Sequence, residues 1–97
     1  MYLELIPESG NFYKVNLHCH TDISDGKLTC EEIKEHYKAL GYSAVCFTDH
    51  ELLVPHNELS DDSFIALHGY EVCIKQMLDV SSGYFAPLYH FNFIFLL

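Results

Sequence analysis

His18 and His20 stand two residues apart, Ser24-Asp25-Gly26 follows them, and Thr48-Asp49-His50 comes some thirty residues later. Four side chains suited to metal binding therefore sit in two short segments. Side chains alternate along an extended segment, so His18 and His20 point to one face and can hold a divalent ion together. Asp25 and His50 are placed to hold another. Imidazole and carboxylate ligands suit Zn, Mn or Fe, and ions about 3.5–4 Å apart that share a carboxylate generate hydroxide at neutral pH. No Ser or Cys nucleophile with an oriented base is evident.

The elements that must position these ligands read as strand, helix, strand. Lys14 to His20 alternates between polar and apolar residues and is expected to be a strand running straight into the histidines. Asp25-Gly26 is a turn. Thr29-Cys30-Glu31-Glu32 is a capping-box pattern, which predicts a helix from Cys30 with Ile33, Tyr37 and Leu40 on one stripe, ending near Leu40 before Gly41. Ala44 to Thr48 is a short apolar run of the buried-strand type and delivers Asp49 and His50 at its carboxyl end. A parallel βαβ unit follows, and α/β folds place their sites at strand carboxyl ends. Phe64 to Val72 is the next expected strand, with Glu71 near its end. Glu51 to Ser60 reads as a loop with a helical turn, Cys73 to Val80 is ambiguous, and Ser81-Ser82-Gly83 marks a turn before a last strand.

Each proposed ligand has a plainer alternative. Asp25 could simply open the turn with Gly26, and Glu71 could be a charge at a strand edge. His90 shares a face with Asn92 and Ile94 if Tyr89 to Leu96 is a strand, which fits either a ligand or a core histidine. His36, His56 and His68 read as surface or core residues. Cys19, Cys30, Cys46 and Cys73 form no Cys-x-x-Cys pair, so neither a zinc ribbon nor a redox site is indicated, and Cys19 and Cys46 read as small buried hydrophobes.

Fourteen acidic residues against five lysines and no arginine give a net charge of -9. That balance offers no basic patch to a nucleic-acid backbone. Residues Tyr84 to Leu97 hold six aromatics and no charge, which predicts a buried-type strand. His90 and Asn92 interrupt this tail, which is also shorter than the about 20 apolar residues of a membrane span. The acidic start, Met1 to Glu8, lacks signal-peptide character, so a cytoplasmic setting is expected.

Taken jointly and in this order, His18 to Thr21 as His-x-His-Thr, Ser24-Asp25-Gly26, Thr48-Asp49-His50, Gly69-Tyr70-Glu71-Val72 and the later His90 resemble the polymerase and histidinol phosphatase (PHP) family of metal-dependent phosphoesterases. The likeness is good from Asn16 to about Val72 and looser from Tyr89 to Ile94. It implies a distorted barrel of seven parallel strands with up to three divalent metals, Zn, Mn or Fe, at its carboxyl-terminal mouth. His18 and His20 would hold the first metal, Glu71 would bridge the first and second, His90 would help hold the second, and Asp25 with His50 would hold the third. Asp49 receives no ligand role. The family's remaining ligands, a histidine and an Asp-x-His pair, lie on later strands, and barrels of this kind run well over about 200 residues. Residues 1–97 are therefore expected to form a single domain, the amino-terminal portion of a truncated PHP-type (β/α)7 barrel whose open edge invites self-association. The implied activity is hydrolysis of a small phosphomonoester by a metal-activated hydroxide, completed by residues beyond the chain. The alternatives are a non-catalytic metal-binding structural module and an inactive fragment.

Overall fold

A computed structural model of the chain describes residues 5–75 and 88–95. The expected turn at Ser81-Ser82-Gly83, most of the ambiguous stretch after Cys73 and part of the aromatic tail lie outside them. The described elements are β1 (Lys14–Cys19), α1 (Cys30–Ala39), β2 (Tyr42–Phe47), a 3-10 turn (Asn57–Leu59), β3 (Ile65–Lys75) and β4 (Leu88–Phe95). The strands form one curled mixed sheet in the order β1-β2-β3-β4, a half-barrel compatible with a partial α/β fold. No helix among the described residues is long and apolar enough to cross a membrane.

Local chemistry sets α1. The Thr29 hydroxyl accepts from the Glu32 amide at 3.2 Å and the Glu32 carboxylate accepts from the Thr29 amide at 2.9 Å, so the capping box expected from the sequence is formed. Gly41, at φ +82, takes the left-handed conformation that lets the chain leave the helix and enter β2. α1 buries Cys30 and Ile33 against Val45 and Phe47 of β2, Ala66 of β3, and Leu59 and Phe64 from the intervening loop. Burying side chains as large as Phe47 and Phe64 contributes about 2–3 kcal/mol each. Burial also pushes the Cys30 and Cys46 thiols up to about 11, with the Glu31 carboxylate adding to the effect at Cys30. Both stay protonated at neutral pH, in keeping with small packed hydrophobes.

The opposite side of the sheet is open. Val15 and Ile65, which flank Ala44 across the register, are 42% and 54% exposed. This open face carries the site.

Two features depart from the sequence expectation. β1 does not alternate cleanly: from Asn16 to Cys19 it advances three residues while β2 advances two, from Val45 to Phe47. Such an extra residue re-aims everything after it. Asn16 lies on the helix side, where its amide donates to the Tyr37 hydroxyl at 2.7 Å. Strict alternation would put His18 on that side too. The extra residue reverses the phase, so Cys19 packs against the core and His18 and His20 turn to the open face.

The second departure is β4. In place of another parallel strand it pairs with β3 antiparallel, from Lys75↔Leu88 to His68↔Phe95. Only twelve residues, 76–87, separate two strands that meet at those ends. A parallel return would have to carry all of them back along the 11-residue β3, at the short limit of such crossovers, which usually hold a helix. Nor is β4 buried as its apolar composition suggests, for Tyr89, Phe91 and Phe93 are each about half exposed. It is an edge strand of the described sheet, and Phe93 and Phe95 stack on Tyr70, with ring centroids 5.4 and 5.9 Å away.

Asp61 ties α1 to the start of β3. Its carboxylate accepts from Lys34 Nζ at 2.6 Å and from the Ser63 amide and hydroxyl at 2.8 and 2.9 Å. The Lys34 bond, then the Ser63 donors, hold its carboxyl well below the ordinary range. A value lower in the folded than in the unfolded chain gives stability that is full above about pH 4 and fades as the pH falls further. Asp61→Asn should therefore lower the urea midpoint at pH 7 and narrow the gap between pH 7 and pH 3. Equal losses at both pH values would assign the effect to the Ser63 turn and not to the charge.

Candidate metal centre

The six candidate ligands expected from the sequence meet beyond the carboxyl ends of β1 and β2 and against the middle of β3, where Glu71 lies, with β4 alongside. Glu71 is the floor of the cluster, 3% exposed, and three imidazoles approach its carboxylate closely. His20 Nε2 lies 2.8 Å from Oε2, His50 Nδ1 3.2 Å from Oε2, and His90 Nδ1 2.9 Å from Oε1. His18 Nε2 stands farther off, 3.8 Å from Oε1. On the solvent side, Asp25 spans two histidines, with Oδ1 at 2.6 Å from His20 Nδ1 and Oδ2 at 3.1 Å from His50 Nε2.

Ligand atoms within 4.8 Å of one another form three triads: His18, His20 and Glu71; His20, Asp25 and His50; and His50, Glu71 and His90. Any two triads share one residue. A divalent ion suits this donor set on one further observation. His20 Nε2 and Glu71 Oε2 are buried and only 2.8 Å apart, yet neither has a hydrogen-bond partner. Two close, deeply buried polar atoms whose approach lacks hydrogen-bond alignment are what a cation between them would satisfy.

Electrostatics favour charged carboxylates here. Burial pushes the Glu71 carboxyl up, but the His90 hydrogen bond and the His18, His20 and His90 imidazoles outweigh it and leave a net lowering. The hydrogen bond from His20, with His50 helping against some desolvation, lowers Asp25.

Three residues that the sequence reading left without a role hold the ligands in place. Thr48, fully buried, sits 2.8 Å from His18 Nδ1 and accepts from the Cys19 amide at 3.1 Å. An imidazole that binds a cation through Nε2 carries its proton on Nδ1, and Thr48 Oγ1 is there to accept it. Asp49 is 2% exposed and faces inward to the ligand loop. Its Oδ1 accepts from the Thr21 amide at 2.7 Å and the Ser24 hydroxyl at 2.6 Å, and its Oδ2 accepts from the Thr21 hydroxyl at 2.8 Å. This buried carboxylate fixes the chain between His20 and Asp25. Gly26 closes the same loop, since a Cβ there would come within 2.7 Å of the His20 and Thr21 backbone. Glu51 follows His50 and accepts from the Cys73 amide at 2.7 Å. Thr-Asp-His was legible as a motif, but only the third residue looked like a ligand, and the partners of the other two lie 25 or more positions away.

His68 and His56 are buried away from the cluster, where the His56 amide donates to His68 Nδ1 at 3.4 Å and the His56 ring meets Phe47. Of the two alternatives read from the sequence, surface or core, both take the core one. His36 is exposed on α1. Cys73 is an exposed free thiol.

The family model of the PHP domain matches residues 16–92 of the 97. No curated protein and no solved structure matches the chain.

Proposed function

The chain belongs to the PHP domain family, a metal-dependent, hydrolase-like family, and from that premise we propose that its His/Glu/Asp cluster holds divalent metals for the hydrolysis of a phosphomonoester. His18 and His20 with Glu71 would hold one ion, Glu71 and His90 a second, and Asp25 with His50 a third, so that only the carboxylate is asked to serve two ions. Zn, Mn and Fe all suit this mixture of imidazole and carboxylate. Bound there, such ions act as Lewis acids toward phosphate oxygens and acidify water.

The chain's own residues supply the rest. Glu71 brings a negative charge to the floor of the cluster and draws three imidazoles around it. Thr48 orients the His18 ring, and Asp49 holds the loop that carries His20 and Asp25. His18, Asp25 and His90 open to solvent, the side from which a small phosphorylated substrate would enter. With a net charge of -9 the polypeptide repels anions, so attraction of a phosphate rests on the cations.

The carrying observation is the convergence of all six ligands around one buried carboxylate. A second reading, a metal-binding module without catalysis, draws on the lysines. Three of the five are held at the opposite ends of the strands from the cluster, Lys14 on the Leu40 carbonyl and Lys34 and Lys38 on Asp61. Assay of chelator-washed chain with p-nitrophenyl phosphate separates the two. Turnover that returns with Mn or Zn and is lost in His20→Ala supports hydrolysis. Metal uptake without turnover of this or other phosphomonoesters favours the non-catalytic module.

A further inference from the structure

Glu51 is the one non-glycine residue with positive φ among the described residues, at φ 56. A left-handed backbone with a Cβ costs about 1–2 kcal/mol, and glycine, or more rarely asparagine or aspartate, is the usual occupant. A glutamate there needs an offsetting interaction, and two are present. The Glu51 amide donates to the Glu71 carbonyl at 2.8 Å, and the Glu51 carboxylate accepts from the Cys73 amide at 2.7 Å. One residue earlier than His50, the Asp49 carbonyl accepts from the Glu71 amide at 3.0 Å.

These bonds have a common geometry. β2 ends at Phe47, yet the chain continues alongside β3 and makes an isolated parallel bridge, His50↔Glu71. His50 is thus held between two residues that each bond the Glu71 backbone, and the Glu51 side chain adds a third attachment two residues further along β3. Without that carboxylate the last attachment would be a single amide on an exposed, strained residue.

We propose that Glu51 is a positioning residue, whose left-handed backbone and carboxylate clamp on Cys73 hold His50 against Glu71 for metal binding. The proposal rests on the metal-binding reading of the cluster. Strain stored beside a ligand is retained because the side chain that causes it also makes the clamp. Glycine would relax the backbone and lose the clamp, glutamine would keep an acceptor oxygen, and alanine would keep the strain alone.

Cobalt(II) titration of the metal-free chain, read by visible absorption, tests this alongside metal-free thermal unfolding. Glu51→Gly should unfold no earlier than wild type without metal, yet bind cobalt about 10-fold more weakly, the scale of a lost supporting contact. Its spectrum should shift toward that of His50→Ala, while Glu51→Gln should restore the wild-type spectrum and affinity. Wild-type binding by Glu51→Gly overturns the proposal while leaving the metal site standing. Equal weakening in Glu51→Gly and Glu51→Gln also overturns it, because negative charge and not the clamp would then be responsible. If wild type takes up no cobalt, the metal-binding reading fails and this proposal with it.

Discussion

Glu71→Gln is expected to abolish the thermal stabilisation that Zn gives the chain and to weaken Zn binding by more than about 100-fold, since outer contacts alone are worth 10- to 100-fold. Two of the three triads contain this carboxylate, and it is the only ligand buried at the floor. Glutamine keeps the shape and loses the charge. At a free Zn concentration about 100 times the dissociation constant, the wild-type chain should gain about 2.7 kcal/mol. Paired melts with and without Zn measure the difference. An equal gain in the variant would rule out Glu71 as a shared ligand.

The largest effect on the metal-free chain is expected at Asp49. Asp49→Ala strips three donors, the Thr21 amide and hydroxyl and the Ser24 hydroxyl, of their common buried acceptor. Unmet hydrogen bonds to a charged group cost about 1.5–3 kcal/mol each, partly recovered by entering water, so a net loss of about 3 kcal/mol is expected in urea unfolding. Asp49→Asn should lose only about 1 kcal/mol, because its carbonyl can serve the Thr21 amide and Ser24 while its NH2 faces the Thr21 hydroxyl. Both variants should also bind metal less tightly through His20 and Asp25. Alanine and asparagine giving the same loss would show that the carboxylate's charge, and not the placing of its acceptors, carries the stability.

Much of this was legible because it is local. The capping box of α1 is complete within Thr29 to Glu32, and the apolar run of β2 needs no partner to be recognised. The candidate ligands could be picked out because their residue types have few other uses at such spacing, and the structure brings all six side chains together. What stayed hidden depends on distant neighbours. The phase reversal in β1 is a property of its pairing with β2, and alternation alone does not show that Asn16 and His18 face opposite sides of the sheet. Thr48 and Asp49 act on residues from β1 and its following loop. The direction of β4 follows from its register with β3, and its exposure follows from its place at the edge, neither of which its apolar composition can express.

The sharing of one residue between every two triads has a thermodynamic consequence. Under the proposed reading, an ion entering one triad changes the charge and mobility of a ligand belonging to each of the others. Occupancies are then linked, and whatever free energy the first ion adds to or removes from the second, the second returns to the first. A neutral imidazole has one lone pair to give, so His20 or His50 serves one ion at a time, whereas the Glu71 carboxylate can serve two against the repulsion between neighbouring cations. The titration should follow a coupled isotherm whose steps belong to the cluster as a whole, and no single affinity constant should describe it.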